Sequence, residues 1–378
     1  MNIKLYSLNT IFLALFLIGS GCDRKQANNE EMKKEHYSME DFKRVLKIDT
    51  HAHINTEGKA MIDEARANNF KLMVMAVDVV PEYPPMEEQL RVRVKHHQED
   101  PDIFAFATAF TLEDWDDPDW SEKVITQLKR DFQNGALGVK VWKNIGMDAK
   151  DKNGELIMLD DPKFDPVFQF IKEQNKVLLS HAGEPKNCWL PLDEMTVKND
   201  YNYFSQHPEY HMYLHPELPS YEDQMKARDR MLERNPGITF IGAHLASLEW
   251  SVTEISKFLD KFPNASVDLA ERLSHLQHQS LTEYEKVRDF FIKYQDRILY
   301  GTDFQQLEDT DPEELKKIMN ERWLLDWKYL NTGEEMTVPE LDDPIKGLFL
   351  EKEVVDKIYH LNAEGIFRKA WSPTDRGI

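Results

Sequence analysis

The chain has 378 residues, with 68 acidic against 47 basic side chains and a formal net charge of −21. That balance excludes nucleic acid as the expected partner, because phosphates demand a positive face, and it opposes docking of the folded part on anionic lipid. Two cysteines, Cys22 and Cys188, give no internal disulfide framework.

Residues 1–21 carry one early cation, Lys4, then an apolar run over 11–18, then Gly19, Ser20 and Gly21 directly before Cys22. This is the pattern of a secretory signal, and the run is short for a membrane span. The cysteine after it resembles a bacterial lipobox, which implies lipid on Cys22. The expectation is a lipoprotein of the bacterial cell envelope, facing the periplasm or on the outer membrane, with a lipid anchor as its only membrane contact. Residues 22–43 are charged, rich in Asn and Glu and without apolar period, and read as a flexible tether. Cys188 is expected to be an incidental thiol.

Beyond the tether roughly 335 residues remain, within the size range of an α/β barrel. Strand-like runs fall at 45–54, 71–77, 103–110, 136–141, 176–181, 238–244, 265–269 and 298–303. Amphipathic segments separate them at 61–69, 86–98, 120–133, 166–174, 221–234, 252–262 and 284–294. Several close at Asn-Gly or Asn-Pro, as at Asn134-Gly135 and Asn235-Pro236. Eight such units predict an α/β chain folded as a single-domain (β/α)8 TIM barrel over 44–370, with a tail at 371–378. An open doubly wound sheet is the alternative, but no Gly-rich phosphate turn follows the first strand.

In a barrel of this kind the functional residues sit at the C-terminal strand ends. Strand one ends in Asp49-Thr50-His51-Ala52-His53. Alternation would put Asp49, His51 and His53 on one face, the two imidazoles ~7 Å apart and able to close on a single divalent ion. Strand four holds Lys140, strand five ends at His181, strand six at His244, strand seven carries Asp268 and strand eight ends at Asp303. Four histidines and a carboxylate at strand ends converge on the barrel axis only if the sheet closes. Alternation also turns Lys140 into the barrel with Gly138 and Trp142, while Val139 and Val141 face the helices.

The set His51-x-His53, His181, His244 and Asp303 resembles the amidohydrolase superfamily. More closely it resembles the amidohydrolase-related family that includes aminocarboxymuconate-semialdehyde decarboxylase. The likeness runs from about Val45 to Phe367 and includes the closing stretch from Lys357 to Ala363. It implies one divalent ion held by His51, His53, His181 and Asp303, with His244 beside the activated water or the substrate. Imidazole with carboxylate suits zinc and also accepts manganese or cobalt. Asp303 is then the proton acceptor and His244 the group that hydrogen-bonds the water or polarises the scissile carbonyl, which makes these two the expected catalytic residues.

In binuclear relatives a lysine at the end of strand four is carboxylated and bridges two metals. Lys140 is expected instead to meet a substrate carboxylate or to stand as a cation behind the metal ligands, with Trp142 and Arg272 as further substrate contacts; pairing with Glu271 or Asp268 is the alternative for Arg272. The loop over 183–220 is long and rich in rings, which suggests a lid. Its histidines His207, His211 and His215 fall four apart, but Pro208 and Pro216 interrupt any helix that would bring them to one metal. The resulting expectation is a metal-dependent hydrolase that cleaves a C–N, ester or lactone bond of a small substrate, neutral or anionic, with activated water. The alternatives are a non-oxidative decarboxylase of an aromatic or unsaturated acid, and a non-catalytic ligand-binding lipoprotein.

Overall fold

The computed structural model describes residues 35–371 apart from residues 79 and 369. The signal segment and Cys22 lie outside the described residues. Nine parallel strands form one sheet: β1 (Lys47–Ile54), β2 (Phe70–Met75), β3 (Phe104–Ala109), β4 (Gly138–Val141), β5 (Val177–Ser180), β6 (Thr239–Gly242), β7 (Ala265–Asp268), β8 (Ile298–Leu299) and β9 (Phe304–Gln306). Their order is β8-β7-β6-β5-β4-β3-β2-β1-β9.

β8 and β9 are two halves of one strand. β8 pairs with β7, and β9 pairs with β1. Between them Thr50 N–H donates to Tyr300 O at 3.0 Å and Asp303 N–H donates to His51 O at 2.7 Å. The sheet therefore closes on itself as the expected (β/α)8 barrel. The interruption has a local cause. Tyr300 N–H turns outward to Ile358 O at 3.0 Å, a carbonyl in the π-helical turn Lys357–Leu361.

A helix follows each turn of the barrel: α1 (Ala60–Ala67), α2 (Met86–Glu99), α3 (Trp120–Gln133), α4 (Asp165–Glu173), α5 (Tyr221–Arg234), α6 (Val252–Lys261), α7 (Leu273–Lys293) and, after β9, α8 (Pro312–Asn331). α8 begins on a strong start signal, Asp311 accepting from Glu313 and Glu314 N–H with Pro312 next. α7 runs eleven residues further toward its N-terminus than the apolar period indicates, from Leu273 instead of Tyr284. Its first turns bury Ser274, His275, Gln277 and Ser280, so polar side chains occupy positions where the pattern seeks apolar ones.

Alternation divides two cores. Leu72, Val74, Phe104, Phe106, Val139, Val141, Leu178 and Phe240 pack outward under the helices. Ile48, Met73, Met75, Ala105, Ala107, Val177, Leu179, Ile241 and Leu299 fill the barrel, and Phe367, Ala370 and Trp371 join them. Trp371 donates its indole N–H to Leu72 O at 3.1 Å, so the C-terminal segment plugs the N-terminal end of the barrel and leaves the opposite end for the site. Trp371 is thus part of the packed fold and not of a loose tail.

In β1 the expected alternation is broken. Its register against β2 shifts between Asp49 and Ala52, and this bulge re-aims the side chains beyond it. Ile48 points into the barrel, yet Ala52 and Ile54 face the helices. His51 and His53 therefore turn inward, and Asp49 does not share their face as a regular strand would require.

Part of the expected tether is also packed. Tyr37 OH donates to Asp356 at 2.8 Å, Trp327 Nε1–H donates to Ser38 O at 3.0 Å, and Phe42 is buried. Beneath this segment the Lys47 ammonium is fully buried. It donates to Phe42 O and Val45 O and sits over the rings of Phe42, Phe70 and Trp327. Burial pulls its pKa down to about 7, because the charged form is the one that suffers in an apolar setting. The unfolded chain holds this proton up to the ordinary lysine range, so the contribution of Lys47 to stability is full above that range and is lost as pH falls to 7. Lys47→Met should raise the thermal midpoint at pH 7, with the gain shrinking toward pH 10. Midpoints measured across that range check it, and a gain independent of pH contradicts it.

Candidate metal centre

Six side chains from five strand ends meet at the open mouth of the barrel. Lys140, His51, His53, His181 and His244 are all buried there, while the Asp303 side chain keeps 27% exposure toward the mouth. The imidazoles are held by groups behind them. His51 Nδ1 lies 2.9 Å from Asp268 Oδ2, His53 Nδ1 3.1 Å from Met75 O, and His244 Nδ1 2.9 Å from Ala270 O. Carbonyls and carboxylates accept, so each ring carries its proton on Nδ1 and directs an Nε2 lone pair into the mouth.

Those lone pairs face one carboxylate. Asp303 Oδ1 lies 2.9 Å from His53 Nε2 and 3.2 Å from His51 Nε2, and Asp303 Oδ2 lies 3.9 Å from His244 Nε2. His51, His244 and Asp303 offer ligand atoms all within 4.8 Å of one another. The His181 ring lies tilted at 59° against His244 with ring centroids 4.1 Å apart, and its Nε2 is buried with no hydrogen-bond partner. Acceptor atoms facing a carboxylate call for a cation among them, a need that Lys140 Nζ, 2.9 Å from His51 Nε2, meets at one of the three rings. An orphaned imidazole nitrogen beside them calls for the same. The residues present thus fit a divalent ion.

Electrostatics agree. Burial lowers the pKa of His53, and it drives those of His181 and His244 well below the usual histidine range, helped at His181 by Lys143, Lys140 and Arg272. These are the neutral imidazoles that a metal requires.

The backbone is shaped to make this meeting possible. A Cβ on Gly301 would meet His51 Cβ at 3.0 Å, so a larger residue there would press against the metal-facing strand β1. Asp303 itself adopts φ 68°, and His244 begins four consecutive non-glycine residues with positive φ. Such residues cost about 1–2 kcal/mol each, a strain that the surrounding contacts must offset.

Of the expected substrate contacts, Lys140 enters the barrel, its Nζ 2.9 Å from His51 Nε2, and burial lowers its pKa to about 8. Trp142 lies half-buried at the rim beneath Lys143. Arg272 is buried, donates to Glu271 O at 3.1 Å and leaves Nε unpartnered. The lid carries its own small core of Cys188, Phe204 and Met212, while Tyr201, Tyr203, Tyr210 and Tyr213 stay exposed. Its base is tied down where Asp200 accepts from Asn187 at 2.8 Å and from His275 at 3.0 Å. His207, His211 and His215 sit on separate turns and do not converge: His211 binds Leu190 O and His215 binds Pro208 O.

Two side chains behind the site escape a reading by strand ends alone, and a third shows itself only in part. Glu184, buried and ion-paired with Lys143, places Oε2 3.7 Å from His181 Nε2. Its signal is a carboxylate three residues past a strand-end histidine. Arg93 of α2 donates to Met75 O at 2.6 Å, the carbonyl that also holds His53; nothing in the local sequence marks it. Asp268 is visible on β7, but its bond to His51 is not.

The fold and this constellation define a barrel protein of the amidohydrolase superfamily. The amidohydrolase family model matches residues 48–369, and the chain belongs to that family. Among solved structures, 2,6-dihydroxybenzoate decarboxylase from Rhizobium shares the fold at 13% identity and a TM-score of 0.50, covering 85% of this chain and 98% of that one. An uncharacterised TIM-barrel protein from Bordetella bronchiseptica aligns at 14% identity and a TM-score of 0.48, covering 86% and 99%. No curated protein matches the chain.

Asp268 offers a direct test of the Nδ1–H arrangement. Its Oδ1 accepts from His244 N–H at 2.7 Å and Ala270 N–H at 3.2 Å. In Asp268→Asn the amide oxygen must keep those donors, which turns the NH2 toward His51 and forces its proton onto Nε2. Metal affinity should fall about 10- to 100-fold with the circular dichroism unchanged. Titration with zinc and cobalt checks this, and unaltered affinity contradicts it.

Proposed function

We propose that the protein is a metal-dependent hydrolase that cleaves a C–N, ester or lactone bond of a small substrate with activated water. The observation that carries the reading is the convergence of the Nε2 lone pairs of His51, His53 and His244 on Asp303, next to the orphaned His181 Nε2. His51, His53, His181 and Asp303 would hold one divalent ion, with zinc the best chemical match and manganese or cobalt suitable. Such an ion supplies Lewis acidity and lowers the pKa of a water to about 7.

The chain's own groups do the rest. Asp303 accepts the proton of the attacking water at Oδ2, the oxygen that faces His244. His244, fixed as the Nδ1–H form, presents Nε2 as an acceptor that orients the water. Lys140 and Arg272 meet an anionic group of the substrate, and Trp142 supplies a flat apolar wall at the rim. The lid excludes bulk water. The same cations would serve a decarboxylase by holding its acid, and the Rhizobium decarboxylase shares the fold; carbon dioxide release is therefore an outcome of the test. A ligand-binding protein without catalysis is the third outcome.

Cys22 would carry lipid and hold the enzyme at the bacterial envelope, the expectation from the segment before it. Among the described residues no helix is long and apolar enough to cross a membrane.

One preparation from the native source tests these readings together. Its intact mass should show an acylated N-terminal Cys22, and a different N-terminus without acyl mass removes the anchor. A panel of amides, esters, lactones and aromatic acids should reveal turnover that chelation abolishes. Asp303→Asn should lose both ion and turnover, with a rate loss of ~100- to 10,000-fold. His244→Asn should keep the ion and lose turnover. Full activity in Asp303→Asn rules out its assigned role.

A further inference from the structure

After β6 the chain makes one turn of left-handed helix. His244, Leu245, Ala246 and Ser247 have φ of 57°, 58°, 57° and 56°, and none is glycine. Residues with a Cβ avoid this region because the Cβ crowds the following carbonyl, and they visit it singly rather than in runs. Four in succession persist only where the surroundings over-determine them. His244 is the first of the four, so this turn sets where its ring points.

The surroundings come largely from α5. Tyr221 OH donates to Ser247 O at 2.5 Å, and the Arg228 guanidinium donates to Ala246 O at 2.5 Å. Both side chains are buried, at 4% and 3% exposure, so neither carbonyl has water as a substitute donor. Each donor is itself fixed. Trp250 Nε1–H donates to Tyr221 OH at 2.8 Å, and the Arg228 guanidinium lies 4.3 Å over the Phe258 ring. Ser247 Oγ donates to Gly183 O at 2.9 Å, which ties the turn to the base of the lid. Gly242 makes room for it, since a Cβ there would meet Ala246 Cβ at 2.4 Å.

We propose that Tyr221 and Arg228 are positioning residues for His244: from α5 they clamp the carbonyls of the left-handed turn and keep the His244 ring aimed at Asp303. The task of that ring rests on the functional reading above. The clamp does not, and it is read separately.

Histidine-selective 15N labelling of the metal-free full chain reports the His244 Nδ1–H directly, with His244→Asn identifying its signal. Bonded to Ala270 O, this proton should exchange slowly in the wild type. Tyr221→Phe and Arg228→Met should each speed its exchange by about tenfold or more, the signature of local opening, in protein whose circular dichroism is unchanged. Adding Ala246→Gly should restore slow exchange in both, because glycine holds positive φ without the clamp. If Arg228→Met does not fold, Tyr221→Phe keeps the ring, loses only the hydroxyl and carries the test. Unchanged exchange in the single variants overturns the proposal. So does a loss that Ala246→Gly leaves in place, which would make the two residues ordinary packing. Because no metal or substrate enters the measurement, the clamp can hold where the hydrolase reading fails, and the reverse.

Discussion

Closing an eight-stranded sheet forces the last strand onto the first, and the site depends on how that seam is made. Here the seam is polar. The buried Asp49 carboxylate accepts from His51 N–H at 3.1 Å, Thr302 N–H at 3.1 Å and Thr302 Oγ1–H at 2.5 Å. Burial pushes its pKa up to about 7, with those hydrogen bonds pulling the other way. One carboxylate thus satisfies donors on both sides of the closure, where the bulge in β1 and the break between β8 and β9 would otherwise leave them buried and unpaired. The same bulge turns His51 and His53 inward, and the same break brings Asp303 across to face them. Regular strands on both sides would close the barrel yet scatter the ligand atoms.

The orientation of the imidazoles is the second consequence. Each of the three rings with a resolved partner gives its Nδ1–H to an acceptor behind it: a carboxylate on β7, a carbonyl at the end of β2, a carbonyl after β7. This frees three Nε2 lone pairs for one region of space and keeps the rings neutral in a buried setting. Arg93 and Asp268 reinforce the arrangement from outside the ligand set, as groups behind a metal centre commonly do. Lone pairs and a carboxylate so placed repel one another, and the Lys140 ammonium, 2.9 Å from His51 Nε2, relieves this at one of the three rings. The barrel therefore supplies the rigidity, and a bound ion would supply the missing attraction.

Much of this was legible in the sequence because two periods coincide with chemistry. The repeat of strand and helix predicts the barrel, and the barrel turns dispersed residues such as His51, His181, His244 and Asp303 into neighbours. Lys140 is placed inward by simple alternation, and there it lies. The same rule misplaces Asp49, since a bulge is a tertiary adjustment with no local mark in Asp49-Thr50-His51. α7 loses its first half to the pattern because the residues there pack against the lid as polar groups. The left-handed turn at His244 is likewise invisible: Ala243-His244-Leu245-Ala246 has the composition of an ordinary helix, and the groups that hold the opposite hand lie far away in sequence, on α5, at Asp268 and at Gly183. Sequence position shows which residues reach the mouth, while the contacts behind them decide where their atoms point.

The most direct measurement is X-ray absorption at the metal edge, made on protein from metal-replete cells together with its metal stoichiometry. One ion per chain is predicted, with a first shell of nitrogen and oxygen and the outer-shell scattering of several imidazoles. A chain that holds no stoichiometric ion would contradict the assignment of the mouth as a metal centre. A second metal scatterer at ~3.5–4 Å, the spacing of a two-metal site, would contradict the single-ion arrangement and give Lys140 a different role.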